Sequence, residues 1–140
     1  AYFTSLMRVG TPDSIRIIGE NGFCECTSLT SVTIPDSVTS IGDSAFSDCT
    51  SLASVKIGDG VNTIGLYAFF NCTSLTSVTI PDSVTSIKSD AFFKCTNLAS
   101  VSYLGTMDQW NSMAKYWNHL FGDTKVTEIT CKDGNITVSN

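Results

Sequence analysis

Charged residues are scarce in this chain. They make up 15% of its 140 residues, against about 25% in typical soluble domains. The net charge is −5, and the eight Lys and Arg residues lie scattered along the sequence rather than in a run. A nucleic-acid ligand needs clustered cations to neutralise its phosphates. We therefore expect no nucleic acid among the partners and no binding to an acidic membrane surface.

Groups suited to acid–base or nucleophilic catalysis are also few. His119 is the sole histidine, and none of the three glutamates is paired with another carboxylate at a spacing typical of glycoside hydrolysis. A Ser-His-Asp or Cys-His site would have to use His119, which we place on the solvent face of a C-terminal helix. We expect that the chain is not an enzyme and that it binds no cofactor.

Long apolar runs are absent from the sequence. None approaches the roughly 18 residues that span a bilayer, so we expect no membrane insertion. The first residues, Ala1 to Thr4, carry neither the basic nor the apolar segment of a secretory signal, and there is no initiating Met. We interpret the chain as a mature or excised piece of a protein.

What the sequence does contain is a strict internal repeat of 23 residues. A cysteine recurs at this interval, followed at fixed offsets by Leu, Val, Ile, Val, Ile and an Ala-Phe pair. The cysteine column consists of Cys26, Cys49, Cys72 and Cys95, and the leucine column of Leu29, Leu52, Leu75 and Leu98. A period of this length is typical of leucine-rich repeats. We place these repeats over residues 3–104, as four repeats and a partial fifth.

The spacing inside each repeat predicts a short strand. Val32 and Ile34 are two residues apart, so they share one face of a strand and their neighbours point the other way. One coil cannot bury its apolar face alone, but stacked coils bury a continuous column. Pro-Asp-Ser at 35–37 predicts a turn, and residues 42–49 predict a short helical turn. The predicted fold class is an α/β leucine-rich-repeat solenoid with a short parallel sheet on one side.

These motifs resemble a known family. The run Cys-Thr-Ser-Leu-Thr-Ser-Val-Thr-Ile-Pro-Asp-Ser-Val-Thr-Ser-Ile-Gly-x-x-Ala-Phe, which starts at Cys26, resembles the BspA-type leucine-rich repeats. Residues 103–110 and 126–134 resemble the ending of such proteins in gut Firmicutes. The resemblance implies a bacterial protein that is secreted or displayed at the cell surface, with adhesion to host proteins or other cells in some members. Gly58, Gly60 and Lys88 depart from the pattern.

Residues 105–140 predict a cap for the open end of the solenoid, within a single domain that covers 1–140. Thr-Met-Asp-Gln at 106–109 is a capping-box pattern that starts a helix. An apolar stripe follows at helical spacing: Trp110, Met113, Trp117, Leu120 and Phe121. The cap helix is expected to bury both tryptophans against the last coil.

A hairpin is predicted after the helix, because Asp133-Gly134 lies between two short apolar runs. The expected pairing puts Cys131 opposite Ile136 and Ile129 opposite Val138. These apolar residues would then share one face of the hairpin.

The six cysteines allow two interpretations, a disulfide framework or a column of small buried thiols. Side chains in register point the same way, which suits a disulfide poorly. A linear ladder does not converge on one point, as the ligands of a zinc ion must. We therefore expect the repeat cysteines to be reduced and buried.

Two further sets of residues have a structural and a functional interpretation. Asp13, Asp36, Asp59 and Asp82 recur at the turn and are interpreted as turn residues, with calcium binding as the alternative. Tyr116 and the two tryptophans allow a sugar-stacking platform. Core packing is favoured for the tryptophans, while Tyr116 lies off their stripe.

Candidate binding residues point outward from the strands or interrupt the repeat. The outward strand positions form a hydroxyl array with one cation: Ser31, Thr33, Ser54, Lys56, Ser77, Thr79, Ser100 and Ser102. Leu66, Tyr67 and Tyr116 lie outside this array. We predict a monomeric, non-catalytic binding module, surface-displayed or secreted, whose ligand is a protein or a glycan. The alternative is a structural spacer or an accessory module of a larger surface protein.

Overall fold

The strands follow the 23-residue period. In the computed structural model, the described residues are 8–10, 15–113 and 120–138. In chain order the elements are β1 (Arg8–Gly10), β2 (Ile17–Ile18), β3 (Ser31–Thr33), β4 (Ser40–Ile41), β5 (Ser54–Lys56), β6 (Thr63–Ile64), β7 (Ser77–Ile80), β8 (Ser86–Ile87), β9 (Ser100–Tyr103), α1 (Met107–Met113), β10 (Glu128–Cys131) and β11 (Gly134–Thr137). The predicted solenoid is confirmed.

Each coil has three sides. The longer strands pair in parallel in the order β1-β3-β5 and β7-β9-β10. Their outer surface is here called the strand face. Val32 lies opposite Val55, and Val78 opposite Val101, so partners are 23 residues apart. The two-residue strands form a second parallel sheet in the order β2-β4-β6-β8. The sequence predicted the first sheet but not this second one.

The third side, here called the turn side, comprises residues 19–26, 42–49, 65–72 and 88–95. The predicted helical turn at 42–49 is wrong, because Ser44 (φ 57°) and Asp48 (φ 62°) adopt the left-handed conformation, which an α-helix does not tolerate. The backbone bonds alternate: the Ala45 and Ser47 N–H groups donate to the carbonyls three residues back, and the N–H groups next to them donate to the following coil. The Phe46 N–H donates to the Ala68 carbonyl at 2.7 Å, and the Asp48 N–H to the Phe70 carbonyl at 2.8 Å.

The core consists of side chains stacked on their own counterparts. Five phenylalanines form one ladder, with centroid separations of 5.2, 5.2, 5.3 and 5.7 Å between successive rings: Phe23, Phe46, Phe69, Phe92 and Phe121. The leucine, valine and isoleucine columns beside it are equally buried. Burial of each apolar group therefore depends on the coil above and the coil below.

The C-terminal segment forms one more coil, enlarged by α1. The capping box is confirmed, since Thr106 N–H donates to Gln109 Oε1 at 2.8 Å and Gln109 N–H to Thr106 Oγ1 at 3.2 Å. Trp110 is fully buried, as expected. β10 then pairs in parallel with β9, which places Ile129 beside Val101 in the valine column. The boundary drawn at residue 104 stays a prediction.

The hairpin forms, but the predicted register is wrong. Ile129 lies opposite Ile136 and Cys131 opposite Gly134, so β11 is shifted by two residues. The turn therefore falls on Lys132-Asp133, one residue earlier than expected. A reason is visible at Asp133, whose Oδ1 accepts a hydrogen bond from the Met107 N–H at 2.8 Å. This bond ties the turn to the first turn of α1, where a carboxylate is favourable.

Close coil stacking predicts that glycine is required at Gly65 but not at its counterpart Gly19. A Cβ at Gly65 would lie 2.6 Å from the Asp43 backbone nitrogen, whereas a Cβ at Gly19 would meet nothing within 4 Å. We expect Gly65→Ala to lower the free energy of unfolding by about 1–3 kcal/mol, and Gly19→Ala to change it by less than about 0.5 kcal/mol. Urea denaturation followed by circular dichroism measures both. Equal effects of the two substitutions would contradict this packing.

Candidate functional site

The predicted hydroxyl array lies where the sequence places it, on the strand face. Six of its residues are exposed and the first and last are half-buried, in the order Ser31, Thr33, Ser54, Lys56, Ser77, Thr79, Ser100 and Ser102. The alternating valines beneath them are buried. The array is nearly flat and uniform, so recognition on this face depends on positions that interrupt it.

The strand face is interrupted between β5 and β7. Among the described residues these two neighbouring strands form no ladder, so the sheet divides there. Val55 is 9% exposed, against 2% for Val32 and 3% for Val78, its counterparts in the adjoining coils. A groove of about 310 Å³ lies over this division.

Two glycines lie in the turn that follows β5, beside the division. Gly58 and Gly60 stand where the preceding coil has Pro35 and Ser37. A Cβ at Gly58 would lie only 2.5 Å from the Ile34 carbonyl oxygen, so this turn packs closely on the coil before it. The Asp59 N–H also donates to Asp36 Oδ1 at 2.8 Å. The turn of the third coil is thus fixed against the turn of the second.

The groove combines a cation, a carboxylate and an apolar side chain. Lys56, Asp59 and Thr79 line it together with Val55, Ile57, Pro81 and Leu104. Leu104 is 51% exposed, which is unusual for a leucine in this fold. The sequence pointed to Lys56 as an interruption of the array but gave no indication of Leu104.

A second interruption lies on the turn side. Tyr67 is 37% exposed, as expected for a residue that interrupts the repeat, and its neighbour Leu66 is half-buried. The Tyr67 ring meets Phe70 edge-on with centroids 5.2 Å apart. Phe70 in turn stacks on Phe93 at 5.9 Å.

Lys94 borders this aromatic group. Its Nζ lies 6.0 Å from the Phe70 centroid and 5.8 Å from the Phe93 centroid, within cation–π range. Phe70 and Phe93 were missed in the sequence. The sequence does contain a signal for these two rings. The position after the recurring Ala-Phe pair is Ser47 in the second coil, but it is a phenylalanine in the third and fourth coils.

Among the aspartates at the turn, Asp36 has a role in backbone hydrogen bonding. Asp36 accepts the bond from Asp59 noted above, as the turn interpretation expects. Across the described ranges, no group of three or more His, Cys, Asp or Glu side chains is placed to hold a metal ion. Asp13 lies outside the described residues.

The repeat cysteines are buried and hydrogen-bonded as thiols. Cys49, Cys72 and Cys95 each donate to the carbonyl of a core phenylalanine in the preceding coil, at 3.0, 3.2 and 2.9 Å. Burial raises the pKa of the Cys49 thiol to about 12 and raises the pKa of Cys72 well above its usual range. The thiols therefore have a polar role that the prediction of simple hydrophobic packing did not include.

Three residues of interest lie outside the described ranges: Tyr116, Trp117 and His119. Their predicted positions on the C-terminal helix stay predictions. No helix in the described part of the chain has the length and hydropathy needed to cross a bilayer.

The repeat pattern, the stacked coils and the solenoid geometry agree with a known family. The profile of the BspA type leucine rich repeat region matches residues 2–121, in six copies. The chain belongs to this family. The six copies reach past residue 104 to residue 121, consistent with the enlarged coil that contains α1.

Three solved structures of leucine-rich-repeat proteins are similar to this BspA-type chain. A leucine rich cell surface protein from Faecalibacterium prausnitzii is 26% identical, with a TM-score of 0.71 over 90% of this chain and 32% of that one. A leucine-rich repeat protein from Bacteroides capillosus is 39% identical, with a TM-score of 0.60 over 65% of this chain and 64% of the other. The T. pallidum leucine rich repeat protein is 28% identical, with a TM-score of 0.54 over 77% and 67%.

The BspA-type chain thus spans about a third of the first of these proteins and about two thirds of the others. No curated protein matches it.

The thiol geometry predicts slow and selective labelling. Cys24 is half-buried and the other five cysteines are buried. Because the thiolate is the reactive form and burial raises these pKa values, a thiol reagent at pH 8 should modify Cys24 alone in the native protein. Mass spectrometry before and after denaturant measures this. Cys24→Ser should abolish native labelling, and modification of three or more sites without denaturant would contradict the structure.

Proposed function

We propose that this chain is a non-catalytic binding module of a bacterial surface protein and that it binds a protein ligand through its strand face. The observation that carries the proposal is the groove between β5 and β7. It is the place on that face where the flat hydroxyl array, the ladder and the repeat sequence are interrupted together. A binding site needs such local features, because a uniform surface has no distinct side chain that a ligand could recognise.

The groove has the chemistry of a small protein-binding anchor site. Leu104 presents an exposed apolar side chain at one wall, and Lys56 and Asp59 supply one charge of each sign. Along the division, β5 and β7 lie side by side without the regular backbone pairing found on either side of them. An apolar anchor with a polar rim is the usual arrangement at the centre of a protein interface.

Surface display is part of the proposal. It is supported by the F. prausnitzii cell surface protein, which shares the fold and 26% of the aligned residues. This chain spans 32% of that protein, so the activity of a whole protein containing it belongs to the proposal as well. The non-catalytic part of the proposal is supported by the family, since the chain belongs to the BspA type leucine rich repeats and the solved structures similar to it are leucine-rich-repeat proteins.

A structural spacer is the competing function. A spacer needs only the continuous core and the solvated array, and it gives no role to an exposed leucine beside a divided sheet. The groove therefore favours the binding module.

The test is an array of purified extracellular matrix proteins probed with this chain. A double variant, Lys56→Thr with Leu104→Ser, removes the cation and the apolar anchor. Thr already stands at the counterparts Thr33 and Thr79, so the fold should be kept. We expect binding to at least one matrix protein and a loss of about tenfold or more in the double variant, equal to about 1.4 kcal/mol.

Phe70→Ser is the matched control, because it changes the turn side and leaves the strand face intact. Its affinity for the matrix protein should equal that of the unchanged chain. The absence of any binding by the folded chain would favour the spacer. An unchanged affinity in the double variant would place the binding site outside the groove and contradict the proposal.

A further inference from the structure

The turn side contains a second recess, separate from the strand-face groove. It has a volume of about 380 Å³ and is lined by Ser44, Ser47, Tyr67, Phe70 and Phe93. These residues come from three successive coils. The second coil contributes the two serines, and the third and fourth contribute the aromatic rings.

The recess arises from a change of side-chain size along one column. The positions are Ser47, Phe70 and Phe93, each 23 residues after the last. Phe70 and Phe93 stack at 5.9 Å, but the second coil continues the column with a small hydroxyl side chain. The inner phenylalanine ladder continues through the same coils, so the core is complete without these outer rings.

Tyr67 is held in a conformation that its side chain disfavours. Its φ is 56°, and its counterparts Asn21, Ser44 and Asp90 have φ values of 58, 57 and 61°. Asn and Asp tolerate the left-handed region well, whereas a bulky aromatic residue there is strained. Tyr67 is exposed and contributes little to the core. Strain at an exposed aromatic residue points to a functional role.

A hydrogen-bonded carboxylate lies next to Ser47, one of the residues that line the recess. Ser47 Oγ donates to Asp48 Oδ2 at 3.3 Å, and Asn71 Nδ2 donates to Asp48 Oδ1 at 2.8 Å. The carboxylate is therefore oriented from two coils. It retains lone pairs that accept hydrogen bonds from the hydroxyl groups of a ligand.

The backbone on this side has no place for an added peptide strand. The Phe46, Asp48 and Asn71 N–H groups all donate to the next coil, at 2.7, 2.8 and 2.9 Å. A ligand here must therefore bind to side chains, through aromatic faces, hydroxyls and a carboxylate.

We propose that this recess binds a neutral pyranose sugar. The C–H bonds on one face of the ring carry partial positive charge and pack against the negative face of an aromatic ring. Phe70 and Tyr67 supply the aromatic surface, while Asp48 and the serines accept or donate to the sugar hydroxyls at the edge. Lys94 occupies the far end of the aromatic group, above Phe70 and Phe93, and so limits the site to the Tyr67 end.

The test uses soluble trisaccharides of β-linked glucose, galactose and N-acetylglucosamine as probes. Saturation-transfer difference NMR detects the weak binding expected of a single-ring site. We expect saturation of the C–H protons on one face of one sugar ring. Tyr67→Asn should reduce the signal at least tenfold while the melting temperature stays the same or rises, because Asn relieves the left-handed strain. Phe70→Ser, which restores the residue of the second coil, should abolish the signal.

The control is Lys56→Thr on the strand face, which should leave the sugar signal unchanged. Absence of saturation transfer from all three trisaccharides, or an undiminished signal in folded Tyr67→Asn, overturns the proposal. Binding of a tyrosine- or tryptophan-containing peptide in place of every sugar also overturns it. Because the sugar test and the matrix-protein test address different faces, and each uses a substitution on the other face as its control, either proposal can fail alone.

Discussion

Phe46 lies between the rings of Phe23 and Phe69, each 5.2 Å away and nearly parallel to it. The other apolar columns repeat this arrangement, so each buried group is covered mainly by its own counterparts. Such stacking requires the coils to have equal length, since one additional residue would shift every following side chain out of its column. The strict 23-residue period of the sequence follows from this requirement for coils of equal length.

The backbone hydrogen bonds also depend on stacked coils of equal length. On all three sides, N–H groups donate to the carbonyls of an adjoining coil, as in the bond from Phe46 to Ala68 on the turn side. The thiols of the cysteine column also donate to the preceding coil. A single coil thus lacks both its apolar cover and its hydrogen-bond partners. The chain departs from the period after Tyr103, where α1 lengthens the coil, and the columns continue with Phe121 beside Phe92 and Ile129 beside Val101.

Stacking fixes the inner positions and leaves the outer ones free to differ between coils. Two groups of departures on the described surface border recesses, Lys56 to Gly60 with Leu104 and Tyr67 with Phe70 and Phe93. One group lies where a sheet divides and the other where an aromatic column is interrupted. In both cases a recess forms where one coil differs from its neighbour, which is how a repetitive scaffold acquires a local binding surface.

Much of the fold could be predicted from the sequence, because the period fixes which residues face inward. Val32 and its counterparts pair as expected, and the capping box at Thr106 forms. The hairpin register could not be predicted, since it depends on the contact between Asp133 and Met107, which are 26 residues apart. The groove could not be predicted either, because it is lined by residues from three coils, among them Lys56, Thr79 and Leu104.

Cooperative unfolding of Phe69→Ala tests most directly whether the coils share one core. Phe69 is buried in the middle of the ladder, and its removal should lower the free energy of unfolding by about 3–5 kcal/mol. Urea denaturation followed by far-UV circular dichroism reports on the strands, and tryptophan fluorescence reports on Trp110 and Trp117, which follow the last repeat strand in the sequence. If the coils share one core, one transition shifts to lower urea by both signals. A fluorescence transition that stays at its original midpoint while the circular dichroism shifts would show that the coils unfold independently, and would contradict a shared core.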